Sequence, residues 1–232
     1  DAAQIEEKIN EVPISQKEIL NEDDNRAVGE KSTQDYELAA GEGNWKGNET
    51  PVNEPPVQSG SVQSGAYTFD IVGTKEELVA EFRESTRDIT EFVTHWTGTF
   101  SNQNITARDV HSWHLDREFS GCGYHYIILR DGKLQRGRPL NVQGAHSKAY
   151  GHNTYSIGVA FAGGFNCPSN TPNPEKFLSS DSFTEEQWNT YDMFVESFYA
   201  IFPGGQAWGH NDTTDKGKID PGFDVQQYVY NK

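Results

Sequence analysis

Two histidines and one aspartate are the residues of this chain best suited to hold a metal ion. His95 lies in a short apolar run, residues 91–97, that is typical of a strand; His210 follows in a polar loop, and Asp220 comes ten positions later. Two imidazoles and one carboxylate form the ligand set of a catalytic zinc site, which leaves a fourth position open for water. Zinc held in this way lowers the pKa of its water and polarises a carbonyl, the two requirements of amide hydrolysis. Either histidine alone would be interpreted as an ordinary polar residue.

The length and composition are compatible with one enzyme domain and a long appendage. The chain has 232 residues and a formal net charge of −16, which argues against nucleic-acid backbones and anionic membrane surfaces as partners. Its apolar runs are too short to span a bilayer, so we expect a soluble protein. The chain begins with Asp1 and its single methionine is Met193, which indicates a processed or shortened product.

The first 66 residues differ from the rest of the chain. They carry 14 of the 35 acidic residues but only two of the aromatic ones, Tyr36 and Trp45. A segment with so few large apolar groups cannot bury enough surface to offset its chain entropy, and the repeated Val-Gln-Ser-Gly before Ala66 is typical of a linker. We therefore predict an acidic, linker-like extension over residues 1–66 and an enzyme domain over residues 67–232.

Three helices are predicted from their N-terminal signals. Thr74, Thr106 and Thr184 each precede a segment with apolar residues at helical spacing, and each is followed three positions later by Glu, Asp or Gln. The pattern is that of a helix N-cap, and at Thr74 it is that of a capping box. The third helix is the longest, and Pro203 predicts its end.

The strands are predicted from alternating or continuous apolar runs. Residues 124–130 and 133–136 flank Asp131-Gly132 and predict a β-hairpin with a tight turn. The continuous apolar run over residues 156–162 predicts a central strand. The fold class is therefore α/β, a central mixed β-sheet flanked by helices, with the ligand loops at the strand ends.

A series of motifs between residues 92 and 223 resembles one known family, the zinc-dependent N-acetylmuramoyl-L-alanine amidases of the peptidoglycan-recognition-protein type, which include the phage lysozyme-type amidases. Each motif is weak alone, and the resemblance depends on their order and spacing. The motifs are Val-Thr-His-Trp-Thr at 93–97, Trp-His at 113–114, Gly-Tyr-His at 123–125, Gly-Ala-His at 144–146, His-Asn at 152–153, Gly-His at 209–210 and Lys-Ile-Asp-Pro-Gly at 218–222.

The resemblance implies a role for each matching residue. His95, His210 and Asp220 would bind a Zn²⁺ ion, with Asp220 at a position where some members have cysteine. Tyr124 would donate a hydrogen bond to the developing oxyanion, and Lys218 would stabilise it with a positive charge. The alternatives are that Tyr124 is a sheet aromatic and that Lys218 is a solvated loop lysine.

The resemblance places the loop over residues 144–153, here called the groove loop, beside the substrate groove. We expect His146 of this loop to contact the substrate and Asn153 to bind a polar group of its peptide or sugar. His125 is expected to be structural. Cys122 and Cys167 lie at ends of predicted strands, and whether they pair cannot be deduced from the sequence.

The implied reaction is hydrolysis of the amide bond between N-acetylmuramic acid and the L-alanine of the stem peptide in peptidoglycan. The sequence does not identify a general base. The alternative is a peptidoglycan-binding module without catalysis, but the presence of all three ligands together with Tyr124 and Lys218 favours the enzyme.

The extension suggests where the enzyme works. Residues 1–66 fit neither a catalytic domain nor a compact wall-binding domain, so we predict a phage-encoded component of the virion, in the tail or baseplate, that opens the cell wall during entry. In that case residues 1–66 would order against other phage structural subunits. The alternative is a free endolysin for host lysis. The expected location is the phage virion or the host periplasm and cell wall.

Overall fold

The computed structural model describes residues 66–215 and 217–231. The predicted extension over residues 1–66 lies outside the described residues, except for Ala66. The helices of the described part are α1 (Lys75–Glu84), α2 (Ala107–Asp116), α3 (His152–Tyr155), α4 (Glu185–Ile201) and α5 (Val225–Tyr230). Its strands are β1 (Ile71–Val72), β2 (Glu91–Trp96), β3 (Thr99–Phe100), β4 (Tyr126–Ile128), β5 (Leu134–Arg136), β6 (Ser156–Phe161), β7 (Gly164–Phe165) and β8 (Gln206–Gly209).

Six of these strands form one mixed sheet in the order β1-β5-β4-β6-β2-β8. Strands β4, β6, β2 and β8 run parallel, whereas β5 and β1 are antiparallel to their neighbours. Strands β3 and β7 pair separately as a small parallel sheet. The predicted fold class, a mixed central sheet flanked by helices, is confirmed. So is the central position of β6, which lies between β4 and β2.

The three predicted N-caps are present. The hydroxyls of Thr74, Thr106 and Thr184 each accept a hydrogen bond from the backbone N–H three residues later. In α1 a capping box would pair the Glu77 carboxylate with the backbone N–H of Thr74. The carboxylate accepts instead from Gly73 N at 2.7 Å. Helix α4 ends at Ile201, before Pro203, as predicted.

Side chains alternate along β2, so this strand faces two environments. Phe92 and Trp96 belong to the larger hydrophobic core, which packs against α1, α4 and α5. Oγ1 of Thr94, on the same face, lies 2.7 Å from the hydroxyl of Tyr191 in α4. His95 therefore points to the opposite face, where a smaller core packs against α2. Within residues 66–215 and 217–231, no helix is both long and apolar enough to cross a membrane.

Candidate metal-binding active site

The pairing of β2 with β8 places two predicted ligands side by side. The strands are parallel, and Thr94 of β2 pairs with Gly209 of β8. The next residue along each strand direction is His95 in one case and His210 in the other. Both imidazoles therefore lie at the carboxyl ends of neighbouring parallel strands, which is where open α/β sheets place their ligand sites.

Two hydrogen bonds from backbone N–H groups hold the third predicted ligand, Asp220, at the carboxyl end of β2. Its Oδ1 accepts a hydrogen bond of 2.7 Å from Trp96 N, and its carbonyl accepts one of 2.8 Å from Asn211 N. The loop between β8 and α5 therefore returns to the end of β2, although Asp220 and Trp96 are far apart in the sequence. One carboxylate oxygen is used for this anchoring, and the other faces the histidines.

Three ligand atoms converge at this point. Nδ1 of His95 lies 3.1 Å from Nδ1 of His210, and Oδ2 of Asp220 lies 3.3 Å from the first and 2.8 Å from the second. Tetrahedral zinc with bonds of about 2.0–2.2 Å places its ligand atoms about 3.3–3.6 Å apart, at or slightly above the distances found here. The side chains are buried, with exposures of 0%, 4% and 4%. The donor types and their spacing therefore fit a zinc ion.

The electrostatics of Asp220 suit an anionic ligand. Burial by itself raises the pKa of this carboxyl, but the hydrogen bonds with His210 and His95 outweigh that effect and hold the pKa well below its ordinary range. The group is therefore ionised at neutral pH. A carboxylate beside two imidazoles offers a cation one negative charge in a buried position.

Tyr124 and Lys218 lie beside the ligands, as the sequence predicts. The half-buried ring of Tyr124 is 4.9 Å from the ring of His95, measured between centroids. Nζ of Lys218 lies 3.0 Å from Nε2 of His210, and the lysine is only 7% exposed. The buried position of Lys218 does not match the alternative of a solvated loop lysine. The catalytic roles of both residues stay predictions.

His146 and Asn153 lie on the loop that precedes β6. The His146 ring is fully buried, and its Nδ1 is 2.9 Å from Nε2 of His95. Burial, followed by the nearby His95, lowers the pKa of His146 well below its ordinary value. Oδ1 of Asn153 accepts hydrogen bonds of 2.8 Å from His146 N and Ser147 N. The loop is thus built around both residues, and their contact with substrate stays a prediction.

The sequence profile of the N-acetylmuramoyl-L-alanine amidase family matches residues 85–223, more than half of the chain. The chain belongs to this amidase family. The matched range contains His95, His210 and Asp220, and the predicted family resemblance is confirmed.

Two phage proteins illustrate the relationship of this amidase to characterised members. The endolysin of Escherichia phage T7 is 32% identical over 146 residues, which cover 63% of this chain and 87% of that protein. The endolysin of Enterobacteria phage K11 is 29% identical over 143 residues, with 62% and 87% covered. Among solved structures, the amidase LysCS from Clostridium intestinale covers 71% of this chain and 92% of its own, at 22% identity and a TM-score of 0.48.

Sequence reasoning missed Arg87, which holds the groove loop of this amidase to the sheet. Its guanidinium donates hydrogen bonds to the carbonyls of Leu140, Asn153, Thr154 and Ser156 at 2.8–3.2 Å. Burial, with a smaller contribution from a second arginine, lowers its pKa to about 10, so it stays charged at neutral pH. An arginine between two elements carries no sequence signal that separates it from a solvated one.

The structure also places His125 and both cysteines. Nδ1 of His125 accepts a hydrogen bond of 2.9 Å from Gly158 N, and Nε2 lies 3.0 Å from the carbonyl of Val142. The predicted structural role of His125 is therefore confirmed. Cys122 and Cys167 are buried free thiols, and burial raises the pKa of Cys122 to about 12. The question of pairing left open by the sequence is thus answered: they form no disulfide.

Proposed function

We propose that this amidase hydrolyses the amide bond between N-acetylmuramic acid and L-alanine of the peptidoglycan stem peptide, with a Zn²⁺ ion held by His95, His210 and Asp220. The observation that carries the proposal is the convergence of two Nδ1 atoms and one Oδ2 atom within 2.8–3.3 Å of one another. When bound, zinc supplies a Lewis acid for the scissile carbonyl and lowers the pKa of a water molecule. Family membership supplies the substrate class.

The chain's own residues then have two tasks. Asp220 contributes a carboxylate that is ionised and anchored, so the ligand set carries one fixed negative charge before the cation binds. Tyr124 and Lys218 lie beside the two histidines, where a phenol O–H and an ammonium can donate to the oxygen that gains negative charge during attack on the amide. Preorganised donors of this kind act on the transition state more than on the bound substrate.

A peptidoglycan-binding module without catalysis is the weaker alternative. Such a module needs the groove but not the metal ligands. Here all three ligand atoms are buried together and the carboxylate is orientated by a backbone N–H, which is costly to maintain without a function for the cluster. The convergence therefore favours hydrolysis.

Metal analysis and product analysis on the purified chain test the function together. We expect close to one zinc per chain, and release of stem peptides with a free L-alanine amino group from purified sacculi. Asp220→Asn should remove both properties, because the amide is isosteric but uncharged. The matched control is Asp88→Asn, at an exposed carboxylate. A chain that binds sacculi, contains no zinc and releases no peptide would contradict the proposal.

For the biological setting, we propose a phage-encoded enzyme carried in the virion. Residues 1–66 precede the range 85–223 that the family profile matches, and their acidic composition suits a segment that orders against partner subunits. The two phage endolysins favour the other candidate, a free lysis enzyme, because most of their length aligns with this chain. Mass spectrometry of purified virions separates the two, and absence of the chain from the particles would exclude the virion role.

A further inference from the structure

His146 lies directly behind the first ligand, in a position closed to solvent. Its side chain is 0% exposed. One ring nitrogen, Nδ1, is 2.9 Å from Nε2 of His95, and the other, Nε2, is 3.2 Å from Oγ of Ser156. The imidazole therefore bridges the ligand His95 to the first residue of β6.

The chain makes room for this ring with two glycines. A Cβ atom on Gly144 would lie 2.5 Å from Cδ2 of His146, and one on Gly158 would lie 2.4 Å from the same atom. Side-chain carbons do not approach other atoms so closely, so any larger residue at either position would displace the ring. Neither glycine has a positive φ. Their function here is therefore to leave space for the imidazole, since the backbone itself does not require glycine.

The loop around His146 is fixed from two further directions. Its backbone N–H donates to Oδ1 of Asn153, and the hydroxyl of the next residue, Ser147, lies 2.7 Å from Oγ1 of Thr213. Thr213 belongs to the short helical turn that begins with the ligand His210. The position of His146 is thus tied to both histidine ligands.

We infer that His146 is a positioning residue that fixes the tautomer and ring orientation of His95 for metal binding. The inference rests on the proposed zinc ligand set. If Nδ1 of His95 binds the metal, its proton must reside on Nε2 and donate to Nδ1 of His146. The proton of His146 then resides on Nε2 and donates to the hydroxyl of Ser156. An outer hydrogen-bond partner of this kind holds the ligand in place and raises its basicity.

Two substitutions separate the hydrogen bond from the volume of the ring. In His146→Asn, Oδ1 takes nearly the place of Nδ1 and can still accept from His95. In His146→Leu, the volume is similar but no acceptor is left. We expect His146→Leu to lose about 10–100-fold in zinc affinity, measured by chelator competition on the full chain. His146→Asn should stay within a few-fold of the wild-type affinity.

Cobalt substitution gives a readout that a purely structural role would not change. The visible absorption of bound Co²⁺ reports the orientation of its ligands, so His146→Leu should shift these bands and His146→Asn should restore them. Circular dichroism of the metal-free proteins confirms that each variant is folded. A folded His146→Leu variant with the zinc affinity and cobalt spectrum of the wild type would overturn the inference. It would also be overturned if His146→Asn were as weak as His146→Leu.

The wild-type chain provides a test that does not depend on any variant folding. In the zinc-loaded protein, ¹⁵N NMR should show a proton on Nε2 of His95 and none on Nδ1 of His146. The opposite assignment at His146 would overturn the positioning role. A wild-type chain that binds no zinc would instead overturn the ligand set itself, and the proposed function with it.

Discussion

The backbone N–H of Trp96 donates a hydrogen bond of 2.7 Å to Oδ1 of Asp220. Trp96 directly follows the ligand His95, so the end of β2 orientates the third ligand of the site. The two oxygens of this carboxylate therefore have different partners. Oδ1 is held by the strand end, and Oδ2 faces the two histidines at 3.3 and 2.8 Å. A carboxylate fixed in this way presents a single oxygen to a cation.

Because the two oxygens have different partners, two substitutions of Asp220 should differ in zinc binding and activity. Asp220→Cys supplies one thiolate, a competent zinc ligand, but no acceptor for Trp96 N. It should therefore retain zinc and part of the activity, whereas Asp220→Asn should lose both. Leaving the N–H of Trp96 unpaired should lower the free energy of unfolding of metal-free Asp220→Cys by about 1–3 kcal/mol, measured in urea. Unchanged stability would show that this hydrogen bond does not orientate the ligand.

Tyr124→Phe and Lys218→Ala are predicted to lower kcat while zinc stays bound. Each removes one donor beside the ligands without removing a ligand, and the loss of a preformed oxyanion donor typically costs about 10²–10³ in rate. Turnover of a soluble muropeptide and zinc content should be measured on the same preparations. The matched controls, Tyr155→Phe and Lys176→Ala, alter exposed residues and should behave as wild type. A rate loss that merely follows loss of zinc would contradict the assignment.

The buried His125 is predicted to lower the free energy of unfolding as the pH falls. Burial, together with the adjacent Arg87, lowers the pKa of His125 to about 3. The unfolded chain has the ordinary value of about 6.5, so between these values the unfolded state binds more protons. The free energy of unfolding therefore decreases as the pH falls from about 6.5 toward 3, by up to about 1.4 kcal/mol per pH unit from this residue.

The comparison with His125→Asn isolates that contribution from those of other titrating groups. Asparagine can still accept from Gly158 N through Oδ1, but it does not titrate. Urea unfolding in the presence of a chelator should show a pH dependence between pH 4 and 6 that is weaker in His125→Asn, by close to one proton. Equal slopes in the two proteins would mean that His125 is protonated in the folded state.

The site was predictable to the extent that residue types and their order carry information. The ligands were found because His95, His210 and Asp220 are the residue types that bind zinc, and the N-caps were found because Thr106 and its Asp109 partner are close in the sequence. The contact between His146 and His95 arises only when a loop folds over the sheet. The sequence feature that reflects this contact is the pair Gly144 and Gly158, which leave room for the ring.

Short elements were also beyond sequence reasoning, for a physical reason. Strand β1 contains only Ile71–Val72, and β3 only Thr99–Phe100. Alternation of apolar residues needs about four or more positions to be recognised. β1 forms because the longer β5 offers it unpaired backbone groups, whereas β3 pairs with β7, which is equally short. Their formation therefore depends on the tertiary structure more than on local sequence.

Arg87→Ala is predicted to destabilise the groove loop more than the rest of the domain. The guanidinium donates to the carbonyls of Asn153, Thr154 and Ser156 among others, and these would lose a charged donor. The cost should be at least about 1–3 kcal/mol. Hydrogen exchange should accelerate most in residues 140–156. The control Arg83→Ala removes an exposed arginine in the last turn of α1 and should leave both measurements unchanged.

Removal of residues 1–66 is predicted to leave the chemistry nearly intact. Every proposed ligand and donor lies between His95 and Asp220, and the family match begins only at residue 85. The shortened chain should therefore bind zinc and hydrolyse a soluble muropeptide at close to the full-length rate, because the removed segment contains no predicted ligand or donor. If the extension acts on partner subunits, its loss should instead reduce incorporation into particles. A truncated chain that is folded and zinc-loaded but inactive would show that the extension belongs to the active site and that the boundary near Ala66 is wrong.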